Sequence, residues 1–251
     1  MIPPVLLPDG MTEIVFAVLV VTSFAASFIT AAFSIGGGSI LLAVMASLVP
    51  PAALIPTHGV IQIGSNFGRA LLSFPHIFWP ALPAFAFGSV IGVAVGGTIV
   101  VSLPPAWVQI GVGGFVIWSV FAKPPKGLRD WPLLVGVLSS FLTMFFGATG
   151  LFVATFTKSH KLPRHSHVAT HAALMTVQHG VKTIAFGLLG FVFAQWWAFI
   201  VAMICAGFGG TLAGKLMLNR IDDRWFRQAL DVFLILLSLR LIYGGLRDIL
   251  G

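Results

Sequence analysis

Charge is what this 251-residue chain has least of. Only 8% of its residues are Asp, Glu, Lys or Arg, against about 25% in an ordinary soluble domain. With 58% hydrophobic residues and a mean hydropathy of +1.02, it has too little polar surface to coat a water-facing fold, which makes it an integral membrane protein. Its single cysteine, Cys205, excludes a disulfide framework and, inside an apolar run, is expected to be a buried thiol. Residues 1–10 lack the basic start and small-residue cleavage site of a signal peptide, so the N-terminal segment is expected to be retained. Acid is scarcer than base. Of seven acidic residues, Asp9, Glu13, Asp130, Asp222, Asp223 and Asp248 fall at ends or in loops. Asp231 alone lies well inside an apolar run, four residues after Arg227, the spacing of a helical ion pair. A cation carrier needs buried carboxylates as ligands, and this chain has almost none to offer. The net charge of +7 is carried mostly in short loops between apolar runs, which is a topology signal and not a nucleic-acid patch.

What the chain does have is itself, twice. Thr57-His58 recurs as Thr170-His171, Arg69 as the cation Lys182, and Gly96-Gly97-Thr98 as Gly209-Gly210-Thr211, each pair 113 residues apart. Internal duplication of an apolar chain is a transporter architecture, with the substrate site at the seam between halves. Apolar runs cover 12–49, 53–74, 78–101, 106–122, 131–157, 165–189, 196–215 and 224–244. The first and fifth exceed the roughly 20 residues that one crossing requires. Each carries glycines near its middle, Gly36-Gly37-Gly38 and Gly147-Ala148-Thr149-Gly150, where the helix is expected to break.

Basic residues decide whether those breaks also reverse the chain. Lys123, Lys126 and Arg129 precede the fifth run, and Lys158, Lys161 and Arg164 follow it. A single crossing would put one cluster outside, against the preference of Lys and Arg for the cytoplasm. Fold-back at both glycine motifs makes the segments around Arg69 and His76, 123–129, 158–164 and 215–227 cytoplasmic. The connections at Pro50-Pro51, Pro104-Pro105 and Gly190, which hold no Lys or Arg, then lie outside, as do both termini, with Arg247 as the strongest exception. The expected fold is an all-α polytopic membrane protein of two inverted repeats, 1–122 and 123–251. Each repeat is a glycine-broken re-entrant hairpin followed by three transmembrane helices.

Irregular backbone at membrane depth survives only where protein covers it or where it lines a cavity. Each break also starts a short helix whose free N–H groups and positive dipole end suit an anion. Ser34, Gly36, Gly37, Gly38 and Ser39 in the first half, and Thr149 and Gly150 in the second, are therefore candidate substrate contacts. A second set lies on the helix after each hairpin. His58, Ser65 and Arg69 stand at i, i+7 and i+11, and His171, Gln178 and Lys182 repeat that spacing, so each trio shares one helical face. Gln62 and Asn66 widen the first stripe; His167 and His179 widen the second. For Arg69 two readings stand open, a cavity lining or an anchor reaching the interface; Lys182 is expected to line the cavity. His167 and His171 have metal-clamp spacing, but the stretch has no glutamate to act as a base. His160 and His165 are expected to be loop residues beside the headgroups.

At Phe33-Ser34-Ile35-Gly36-Gly37-Gly38-Ser39-Ile40, Leu162-Pro163-Arg164, Ala169-Thr170-His171-Ala172 and Lys182, the chain resembles the sulfite exporter TauE/SafE family, also called the 4-toluene sulfonate uptake permeases. The likeness covers essentially the whole chain, although Gly-Ala-Thr-Gly replaces the triple glycine in the second half. It implies a bacterial inner-membrane permease for sulfite, sulfonates or related small organic anions. The expected partners are that anion and the lipid bilayer. Nucleic acid, metal and cofactor are not expected, and assembly into a homo-oligomer is left open. An anion channel is the nearest alternative, and an intramembrane metalloenzyme built on His167, His171 and His179 is the rival from another class.

Overall fold

The structure, a computed structural model, describes residues 7–8, 10–33, 36–100, 103–121, 131–147, 149–217 and 223–250. Ser34, Ile35, Ala148 and the 123–129 basic cluster lie outside that set, as does the side chain of Arg227, the expected partner of Asp231. The described residues form ten α-helices: α1 Glu13–Phe33, α2 Gly37–Leu48, α3 Pro51–Leu72, α4 Leu82–Val100, α5 Pro105–Phe121, α6 Pro132–Phe146, α7 Gly150–Ser159, α8 Arg164–Leu188, α9 Trp197–Met217 and α10 Asp223–Leu250. Proline sets several of the starts. Pro51, Pro105 and Pro132 occupy first helical positions, where the missing N–H has no partner to lose.

Both long apolar runs are interrupted at the glycines. Gly36 sits at φ 106° and Gly147 at φ 72°, backbone that a side chain would strain. The chain turns back so sharply after Gly36 that a Cβ on Gly37 would collide with the Ala26 carbonyl and the Thr30 hydroxyl of α1. The two arms are unequal. α1, at 21 residues, is long enough to cross the hydrocarbon core, whereas α2 and α7 have 12 and 10 residues and are too short.

Among the described residues three stretches are both long and apolar enough to cross a membrane: Glu13–Ala32, Trp79–Val100 and Phe193–Leu216. α3 and α8 have the length, 22 and 25 residues, but their apolar character is diluted by the polar stripe they carry into the interior. Outside this interior, large apolar side chains such as Ile14, Phe87, Trp107, Ile184, Leu216 and Tyr243 face outward as a lipid-facing surface would require.

The first helix of each half packs on the fourth helix of the other. α4 lies along α6, where a Cβ on Gly88 or Gly136 would run into the facing backbone at Leu133 or Phe85. α1 lies along α9 in the same way at Gly210 and Gly214, and the Ser23 hydroxyl donates to the Met203 carbonyl at 2.7 Å. Such close backbone approach is how helices gain contact where solvent is as apolar as their side chains. α3 crosses α8 at the centre, and α5 packs on α10.

Two ends of the bundle are defined by contact. Pro51, Pro105 and Gly190 line one cleft of about 340 Å³ at one end. At the other, the His76 and His165 rings are 5.7 Å apart and the Phe78 amide donates to the Thr170 hydroxyl at 2.9 Å. α3 and α8, whose starts are 113 residues apart, therefore run in opposite senses. One expectation fails. Cys205 is exposed, on the outer side of α9, because that helix is apolar nearly all round and its sequence marks no buried face.

Candidate functional site at the crossing of α3 and α8

Both hairpin breaks come to the α3–α8 crossing and are held there by the repeated histidines. His58 Nε2 lies 3.3 Å from the Gly38 carbonyl, and His171 Nε2 lies 3.2 Å from the Gly150 carbonyl. Each histidine thus ties the start of its own half's short helix. The second break also borders the first half, since a Cβ on Gly147 would stand 3.3 Å from His58 Nδ1 and 2.9 Å from the Leu42 side chain. Gly38 sits so close to Gln62 that a Cβ there would overlap the Gln62 amide nitrogen. Neither α2 nor α7 has a side-chain cap on its N-terminus.

Gln178 fixes the second hairpin. Its amide donates to the Thr149 hydroxyl and, at 3.4 Å, to the Ser139 carbonyl, while its carbonyl accepts from the Ser139 hydroxyl at 3.1 Å. The counterpart Ser65 makes a single 3.1 Å hydrogen bond with Ser27 of α1. All five are buried, so these bonds join α6, α7 and α8 in one half and α1 and α3 in the other without help from the exterior.

At the heart of the crossing nitrogen atoms accumulate without partners. His58 and His179 stand edge to face with ring centroids 6.0 Å apart. Lys182 follows His179 by three residues, on the same face of α8, and its Cε would lie 2.8 Å from a Cβ on Gly59. All three side chains have no exposed surface. His58 Nδ1, both ring nitrogens of His179, Lys182 Nζ and the neighbouring Thr183 hydroxyl find no hydrogen-bond partner among the described residues. Buried polar groups are nearly always bonded, so a convergent set of orphans at one spot needs an explanation. The charged groups that act on His58 and His179 among the described residues are all basic.

Arg69 lies elsewhere. Its side chain is buried, and Nη2 donates to the side-chain Oδ1 of Asn66 at 2.6 Å, while Asn66 Nδ2 donates to the Gln62 backbone carbonyl at 2.8 Å. The sequence stripe therefore places His58, Gln62, His179 and Lys182 together with Gly38, and His171 with Gly150. Gln178 sits with Thr149, and Arg69 with Asn66 stands further along α3. Gly36 marks the first break, Gly37 packs on α1, and Ser39 donates its amide to the Gly36 carbonyl at 3.1 Å.

Three participants escaped the sequence reading. Gly147 was visible only as part of a motif, yet it forms the wall beside His58. Gly59 gives Lys182 its space, and Ser139 orients Gln178. Their spacing carries no signal, because each contact joins segments far apart in the chain. Among the described residues no three His, Cys, Asp or Glu side chains are grouped as a metal would need. The His167 and His171 rings are 6.5 Å apart.

Compared with known families, residues 19–241 match the model for sulfite exporter TauE/SafE. The chain belongs to the TauE/SafE family. It is thus a multi-pass membrane protein from a family of transporters. No curated protein and no solved structure matches it.

Proposed function

We propose that this TauE/SafE protein carries small sulfur oxyanions, sulfite or organic sulfonates, across the bacterial inner membrane through the α3–α8 crossing. The observation that carries the reading is the Lys182 ammonium and the His179 ring N–H, both fully buried and both without a hydrogen-bond partner among the described residues. An oxyanion with several acceptor oxygens is the partner that such a set lacks. A cation would meet only like charge there. Gly36, Gly37, Gly38, Ser39, Thr149 and Gly150 supply backbone and hydroxyl donors at the breaks, joined by Ser34 from the same motif. His171 and Gln178 orient them.

The halves 1–122 and 123–251 are inverted repeats in this reading, supported by the opposed senses of α3 and α8. Both termini face outward and motion of one half against the other gives alternating access. The apolar cleft of Pro51, Ile55, Phe145 and Phe186 would be the outer vestibule. Ile55 precedes His58 by three residues and Phe186 follows Lys182 by four, so its floor is one helical turn from the cluster.

Thermal unfolding of the purified protein in detergent tests the assignment. Sulfite, sulfate, sulfoacetate and taurine are compared with lactate, since a ligand that binds only the folded state raises the melting temperature. A concentration-dependent rise with sulfite or a sulfonate, larger than with lactate, is expected. Equal responses to all five, or none, would refute the substrate class.

A further inference from the structure

We infer that the crossing holds two anion stations in series, not one, with the second built on Arg69 and His171. The inference rests on the transport reading above. Its starting point is that each cation reaches across to the other helix. Lys182 of α8 packs beside Gly59, the residue after His58 of α3, within electrostatic reach of both His58 and His179, and Arg69 of α3 is within reach of His171 of α8. The 113-residue offset exchanges one pair for the other. Because α3 and α8 run in opposite senses, the exchange moves the pair from one end of the crossing to the other.

Distance then separates them. His58 and Arg69 are eleven residues apart on α3, as are His171 and Lys182 on α8, which at 1.5 Å per residue is about 16 Å along either axis. A three- or four-oxygen anion cannot touch both cations at once.

The Arg69 end has the makings of a site in its own right. Arg69 is 7% exposed and its Nε has no partner among the described residues. His167, one turn before His171, has an unpartnered buried Nδ1. Lys158 acts on both of these histidines from α7. This group lies toward the His76–His165 end, while Lys182 lies toward the Gly190 cleft. His179 is within electrostatic reach of both His58 and His171 and bridges the two stations. Two anions held about 16 Å apart repel through the protein enough to weaken the second by about fivefold. Arrival at one station thereby promotes departure from the other, as in multi-site conduction.

Equilibrium binding of radiolabelled sulfite to the purified full chain tests this. The expected result is two sulfites per chain, the second weaker by about fivefold. Arg69→Gln should leave one site and Lys182→Met should leave the other, while Arg69→Lys keeps two. One sulfite per chain in the unsubstituted protein, or loss of all binding in either variant with its fold intact by circular dichroism, would overturn the second station and leave the transport reading standing. No sulfite binding at all would overturn both.

Discussion

Lys182→Met should abolish sulfite binding at the Lys182 end of the crossing, and with it transport, while leaving the Arg69 end occupied and making the protein more stable. The ammonium has no exposed surface and no partner among the described residues, at the centre of a membrane bundle. A charge there is costly unless something compensates it, and the compensating group proposed here is the substrate. Methionine fills nearly the same volume, needs no hydrogen bonds and fits irregular gaps. Replacing buried ionic groups by apolar ones of like size commonly stabilises by about 1–4 kcal/mol. Function and stability should therefore move in opposite directions, a trade common at binding sites. Thermal unfolding in detergent and a flux assay on the same preparation check both halves. A variant that melts earlier than the parent would show that Lys182 is structural, and one that still transports would remove it from the site.

Gly147→Ala should cut transport at least tenfold without preventing folding. Gly147 combines φ 72° with ψ −38°, a region in which a side chain costs about 1–3 kcal/mol. The added Cβ would also stand 2.9 Å from Leu42 and 3.3 Å from His58 Nδ1, so the hairpin tip or the imidazole must shift. Either shift disturbs the cluster, and displacement of about 1 Å in a positioned group costs on the order of a hundredfold in rate in catalytic sites. Gly180→Ala is the control on the adjoining helix. Nothing lies within 4 Å of a Cβ there, and the change should leave transport unaltered and stabilise by up to about 1 kcal/mol. If Gly147→Ala transports like the parent, the second break is not part of the path.

Much of this was legible in the sequence because glycine and helical period leave local marks. Gly36 and Gly147 interrupt runs too long for one crossing, and both take positive φ. His58, Ser65 and Arg69, like His171, Gln178 and Lys182, share a face by spacing alone, and all six are buried. The pairing across that face was not legible. Nothing in the spacing says that Lys182 packs beside Gly59, next to His58, since that depends on the angle and sense in which α3 meets α8. Nor did the sequence show that α1 would keep full crossing length before its break, because no polar residue marks where the turn must come. Cys205 was misplaced for a related reason: an evenly apolar helix can turn any side to lipid.

The central claim is tested most directly by sulfite flux into proteoliposomes containing the purified protein, with Lys182→Met as the matched comparison. Saturable sulfite entry well above that of protein-free vesicles is expected, competed by organic sulfonates and lost in the Met variant. Flux no greater than in protein-free vesicles, or equal in parent and variant, would contradict it.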